Sequence, residues 1–115
     1  MSIAAQILIS GKGTQSSAAD NAVATATVAA IPAQTHRMMG VHAEFDAAVA
    51  LFKVITIIQG STTVLTLNHD FTNGEFAFAF PAPLAGVMGG AVSATLAASG
   101  TGGINGRVTL FTFAN

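Results

Sequence analysis

The stretch "AVSATLAASGTGG" (residues 91–103) decides the fold. As a helix it would gather Val92, Leu96 and Ala97 on one face. As a strand it would send Val92, Ala94, Leu96 and Ala98 to one side, because successive side chains of a strand alternate, and would leave its glycines to form a turn. The segments on either side choose between the two.

Upstream, "PAPLAGVMGG" (81–90) holds Pro81, Pro83, Gly86, Gly89 and Gly90, which no regular helix accommodates, so it reads as a long connecting loop. Before it, "EFAFAF" (75–80) puts Phe76, Phe78 and Phe80 on one parity as an aromatic row, with Pro81 as its end. "LFKVITIIQGSTTVLTLNH" (51–69) reads as two strands, 51–58 and 62–68, folded about "QGST", since β-branched residues crowd both arms and Gly60 permits the turn. In "RMMGVHAEFD" (37–46), Met39, Val41, Ala43 and Phe45 form an apolar face opposite Met38, His42, Glu44 and Asp46. "AVATATVAAI" (22–31) and "SIAAQILIS" (2–10) read as two further strands, the second carrying Ile3, Ile7 and Ile9 on one parity. Downstream, "GRVTLFTF" (106–113) alternates Val108 and Leu110 with Arg107, Thr109, Phe111 and Phe113.

These are eight short extended runs separated by Gly, Pro, Asn and Asp, the spacing of an antiparallel β-sandwich. A strand at 91–98 is the reading consistent with its neighbours. The 115 residues form one domain, with 1–21 as an N-terminal arm or edge strand.

Only 8% of the residues are charged and 51% are apolar, where about 25% charged is usual. A surface built of Ala, Val, Thr and Gly leaves apolar patches and strand edges for a partner to cover. A net charge of −1 with no basic stripe argues against nucleic acid. The longest apolar tract, 77–92, is interrupted by prolines and glycines and argues against a membrane span. The N-terminal stretch lacks the basic start of a secretory signal, so the chain reads as soluble and untargeted. With no cysteine, disulfides and thiolate metal sites are excluded.

Catalysis finds no advocate. His36 and His42 share a parity and His69 adjoins Asp70, but this is not a ligand spacing, and the three read as surface or interface residues. Glu44 and Asp46 read as a solvated pair, no Gly-x-Ser-x-Gly elbow exposes a serine, and "GTGGING" (100–106) precedes a strand instead of opening a helix. The phenylalanine row reads as core, since sugar platforms use Trp or Tyr and the chain has neither. The expectation is a protein that is not an enzyme and takes no cofactor, metal or small-molecule substrate.

From Val23 to Phe113, the succession "AAIPAQTHRMMGVHAEF", "VITIIQGSTTVLTLNHDF" and "GEFAFAFPAPLAGVMGGAVSATLAASGTGGINGRVTLFTF" resembles the small decoration or cement (minor capsid) proteins of tailed bacteriophages. The resemblance implies a jelly-roll-like sandwich, made in the bacterial host cytoplasm, that sits as a homotrimer on the outer capsid surface and braces the major capsid protein. Candidate oligomer or capsid contacts are Ile3, Gln6, Leu8 and Lys12 in the N-terminal stretch, Pro83, Leu84 and Met88 in the 81–90 loop, and Arg37. The alternative is a trimeric jelly roll that binds a receptor or glycan in a phage attachment structure, with His36, His42 and His69 gathered in its pocket.

Overall fold

A computed structural model describes residues 12–49, 52–73 and 75–115. Among them, two antiparallel sheets pack face to face. The strands are β1 (Lys12–Gln15), β2 (Ala19–Asp20), β3 (Ala24–Val28), β4 (His36–Phe45), β5 (Phe52–Gln59), β6 (Thr62–Asp70), β7 (Glu75–Ala85), β8 (Val92–Leu96) and β9 (Asn105–Ala114). One sheet runs β1-β9-β4-β7, with β2 also on β9, and the other runs β3-β8-β5-β6. Taking β1 and β2 as two halves of one edge strand, this is the eight-stranded order of a jelly roll.

The opening stretch is a strand, and a central one. Val92, Ala94 and Leu96 of β8 are buried, flanked by β3 and β5. Its small residues fit because Ala26 on one side and Ile57 on the other both pair with Ala94, so a narrow row separates wider ones. In β3 the alternation is equally plain, with Ala24 and Ala26 buried and Thr25 and Thr27 exposed. The β5–β6 hairpin turns at Gly60 and Ser61, where Gly60 has φ +61 and Ser61 does not share the positive sign, as a two-residue turn with Gly first requires.

Three expectations are corrected. The one strand read within 1–21 is 2–10, yet Lys12–Gln15 and Ala19–Asp20 both pair with β9 and form the sheet's edge. The strand read at 2–10, with Ile3, Gln6 and Leu8, lies outside the described residues.

In β4 the apolar face switches parity. Met38 pairs with Thr112 and Gly40 with Phe111, leaving Met39 as an extra residue. Such a bulge rotates everything before it by one position, so Met38 is fully buried and Met39 only half.

The third correction concerns Pro81, which does not end β7; the strand continues through Pro83 to Ala85, and the loop shrinks to 86–91. Because β7 is an edge strand and its register with β4 lapses between Ala79 and Leu84, the prolines remove no ladder donor.

Phe76, Phe78 and Phe80 point inward, as the row predicts, Phe80 buried and the other two packed against the core. They belong to a longer aromatic chain. Phe45 meets Phe71 edge-on at 5.0 Å, Phe71 meets His69 at 4.9 Å, His69 stacks on Phe76 at 4.5 Å, and Phe78 and Phe80 follow at 6.1 and 5.8 Å. This chain fills the flank where β6 and β7 face each other across the sandwich.

Candidate interaction surface

Antiparallel returns sort the charged residues by end. Asp20 pairs opposite Asn105, Glu44 opposite both Glu75 and Arg107, Asp70 opposite Phe52, and Lys53 opposite His69. Asp46 follows β4 and exchanges backbone and side-chain hydrogen bonds with Asn105, each 3.0 Å. All five carboxylates of the chain therefore lie on one rim. Lys12, opposite Thr112, and Arg37, opposite Phe113, lie on the other.

The acids gather there because that rim is made of tight turns whose backbone N–H groups need acceptors. Asp20 Oδ1 accepts from the Gly103 N–H at 2.8 Å and Asn21 Oδ1 from that of Gly100 at 2.8 Å. Asp70 Oδ1 accepts from the Thr72 hydroxyl at 2.6 Å and its N–H at 3.0 Å. These bonds, the hydroxyl first, hold the Asp70 carboxyl below its ordinary value, with a further contribution from His69. Glu44 and Asp46 are thus not a paired acid and base: Glu44 takes an ion pair from Arg107 at 3.3 Å, and Asp46 closes a turn.

Apolar side chains are exposed at both ends, Phe52 and Val23 at the acidic rim and a larger group at the opposite rim. Ile31, Val87, Met88 and Phe113 are all exposed there, Met88 at 69%. The 86–91 loop is tied to this rim by hydrogen bonds from Gly86 N–H to His36 O at 2.7 Å and from Gly89 N–H to Gln34 O at 2.8 Å. A cavity of about 260 Å³ opens between Lys12, Ile31 and Phe113. On the adjoining flank a groove of about 320 Å³ runs between Val64 of β6 and Phe80, Pro81 and Leu84 of β7.

The structure thus brings five of the predicted contact residues to one end: Lys12, Arg37, Pro83, Leu84 and Met88. Arg37 is anchored there by a 3.0 Å hydrogen bond from its Nε to the Asn115 side chain. Sequence reasoning missed Ile31, Val87 and Phe113, whose common position depends on the turn after β3 and on the register of β9.

The histidines do not form a cluster. His36 is buried and its Nε2 donates to the Ala29 carbonyl at 2.7 Å. His69 stacks on Phe76 inside the flank. His42 lies on the outer face of the first sheet, with Nε2 3.0 Å from Glu75 Oε2. His42, Glu44 and Glu75 each offer one donor atom, all within 4.8 Å of one another, and are the group among the described residues able to share a cation. On the same rim a small polar pocket of about 160 Å³ is lined by Glu44, Asp46, Asn105 and Arg107 beside Phe45.

No family model matches the chain, and no curated protein matches it. Among solved structures, a ruminal GH26 endo-β-1,4-mannanase is similar over 80% of this chain and 18% of its own, at 14% identity and a TM-score of 0.45. The Bacillus thuringiensis insecticidal delta-endotoxin Cry8Ea1 is similar over 84% of this chain and 18% of its own, at 12% identity and 0.43. The carbohydrate-binding module CBM36, in complex with calcium and xylotriose, is similar over 83% of this chain and 76% of its own, at 17% identity and 0.40. The chain spans under a fifth of the mannanase and toxin chains. Likeness at this level concerns the fold.

Proposed function

We propose that the protein is a non-catalytic interaction module and, within that class, a tailed-phage capsid decoration protein that docks through its apolar rim. The observation that carries the reading is the group of four exposed apolar side chains at the rim away from the carboxylates. One rim collects the carboxylates, and the other offers Ile31, Val87, Met88 and Phe113 between two isolated cations. An apolar patch rimmed by polar groups marks a protein–protein contact. Lys12 and Arg37 beside it suit an acidic partner surface, steering the approach while the apolar groups supply the contact. The sequence resemblance adds the homotrimer and the major capsid protein as partners. Three copies bound together multiply a modest contact through effective concentration, and no chemistry is needed.

The test is the mass of the protein in solution followed by co-sedimentation with empty phage heads. A trimer that pellets with heads, and that stays in the supernatant once Val87→Asp and Met88→Asp are combined, supports the reading. A monomer that ignores heads refutes it. Both side chains are exposed, so the double variant keeps its fold, with stability changed by no more than about 0.5 kcal/mol per site.

The polar pocket favours a second reading, the glycan-binding module. Glu44, Asp46, Asn105 and Arg107 converge on one small pocket, a set of polar groups that can meet sugar hydroxyls. Glycan-array binding that disappears with Arg107→Ala, from a protein that does not pellet with heads, selects that reading instead.

A further inference from the structure

We propose that His42, Glu44 and Glu75 form a surface site for a divalent cation of the zinc class, one that clamps edge strand β7 to β4. The proposal is independent of what the apolar rim binds.

The register builds the site. Bulge-free pairing through this part of the sheet places Glu44 directly opposite Glu75, and His42, two residues before Glu44, on the same outer face. His42 pairs with Ala77. One donor atom from each residue lies within 4.8 Å of the others, and the His42–Glu75 distance is already 3.0 Å. Tetrahedral zinc with ligands at about 2.0–2.2 Å holds its donors about 3.4 Å apart, close to the separations these donors already have.

Two further observations point to a cation. Like charges directly opposite each other on neighbouring strands are destabilising. Arg107 answers Glu44 from one side, but at 3.3 Å it engages Oε1, and the carboxylate retains a second oxygen toward Glu75. The rim as a whole carries five carboxylates against Lys53 and Arg107, a formal −3, which raises the local concentration of cations.

The donor set selects the class. Calcium and magnesium take six or more oxygen ligands, whereas an imidazole nitrogen with two carboxylates suits zinc, nickel or cobalt with water in the remaining positions. The expected product is therefore a three-ligand site open to solvent on one side.

Isothermal titration of the untagged protein with zinc chloride tests this, with calcium chloride in parallel. The proposal expects one zinc per chain, no heat from calcium at the same concentration, and a zinc-dependent rise in Tm. His42→Ala and Glu75→Gln should each weaken zinc binding by more than about tenfold, since even partners outside the ligand shell are worth that much. Arg107→Gln, which frees Glu44, should tighten it. His69→Ala, which removes another histidine of the same rim, should leave it unchanged. Absence of zinc binding, a calcium response equal to that of zinc, or zinc binding that survives both His42→Ala and Glu75→Gln overturns the proposal. Glu75 is exposed, so its variant reads the site even where the His42 variant perturbs the sheet.

Discussion

Individual residues set tolerances that composition does not reveal. A Cβ on Gly106 would lie 2.9 Å from the Phe45 ring and 3.2 Å from a Leu96 methyl, both core groups with no free path of retreat. Gly106→Ala should therefore lower stability by about 1–3 kcal/mol, the cost of overpacking, measured by urea denaturation. Asp70 sets a pH limit instead. Its folded carboxyl titrates below the ordinary 3.8, so its contribution is present above that value and is lost as pH falls through the lower, folded one. The Tm difference between wild type and Asp70→Ala should be steady from neutral pH down to about 4 and shrink below it; a difference unchanged at pH 2 would refute the turn-closing role. The two differ in what the sequence discloses. Asp70 and Thr72 are two residues apart, a local turn pattern open to sequence reading, whereas Gly106 has the appearance of any glycine beside a turn until the fold places Phe45 against it.

Elements were legible where local pattern and tertiary context agree. Alternation buries Ala24 and Ala26 in β3 and Ile55 and Ile57 in β5 as the residues predict, and the two-residue turn at Gly60 follows from glycine's freedom at positive φ. Legibility fails where a neighbour decides. The extra residue at Met39 shifts the inward face of β4 because β9 and β7 hold the two halves of the strand in different registers. Pro81 and Pro83 stay in β7 because, among the described residues, no strand pairs outside it, a property of strand order and not of proline. The short 3₁₀ turn Phe71–Asn73 went unanticipated, although it places the most deeply buried ring of the aromatic chain. Phe71 touches Phe45 on one sheet and His69 at the end of β6, so it links the two layers at their open flank. Phe71→Ala should cost about 3–5 kcal/mol in urea denaturation, as fully buried phenylalanines do. A loss under about 1 kcal/mol would show that the flank closes without it.

For the whole molecule, composition predicts exposed apolar surface but not where it lies. Scarce charge reads directly from the sequence; that the five acids share a rim does not, because they are spread from Asp20 to Glu75 and meet only after the strands have reversed direction repeatedly. The candidate contacts Lys12, Arg37, Pro83, Leu84 and Met88 come from three separate places in the chain, and the sheet order is what brings them to one end. The proposed cation site and the proposed docking rim lie at opposite ends of the strands. They share no contact residue, so variants at the two rims should combine additively, as distant sites do. A double variant of His42→Ala with Met88→Asp whose head binding and zinc affinity differ from the two single effects would reveal a coupling that this layout does not supply.

A formal −3 at one end of the strands, facing Lys12 and Arg37 at the other, also gives the protein a charge asymmetry larger than its net charge of −1 suggests. Near electrical neutrality it should still cling to an anion-exchange bead by a single rim and turn broadside charges away. In front of a negatively charged wall the same torque rotates each arriving copy with its oily end foremost before any atom touches.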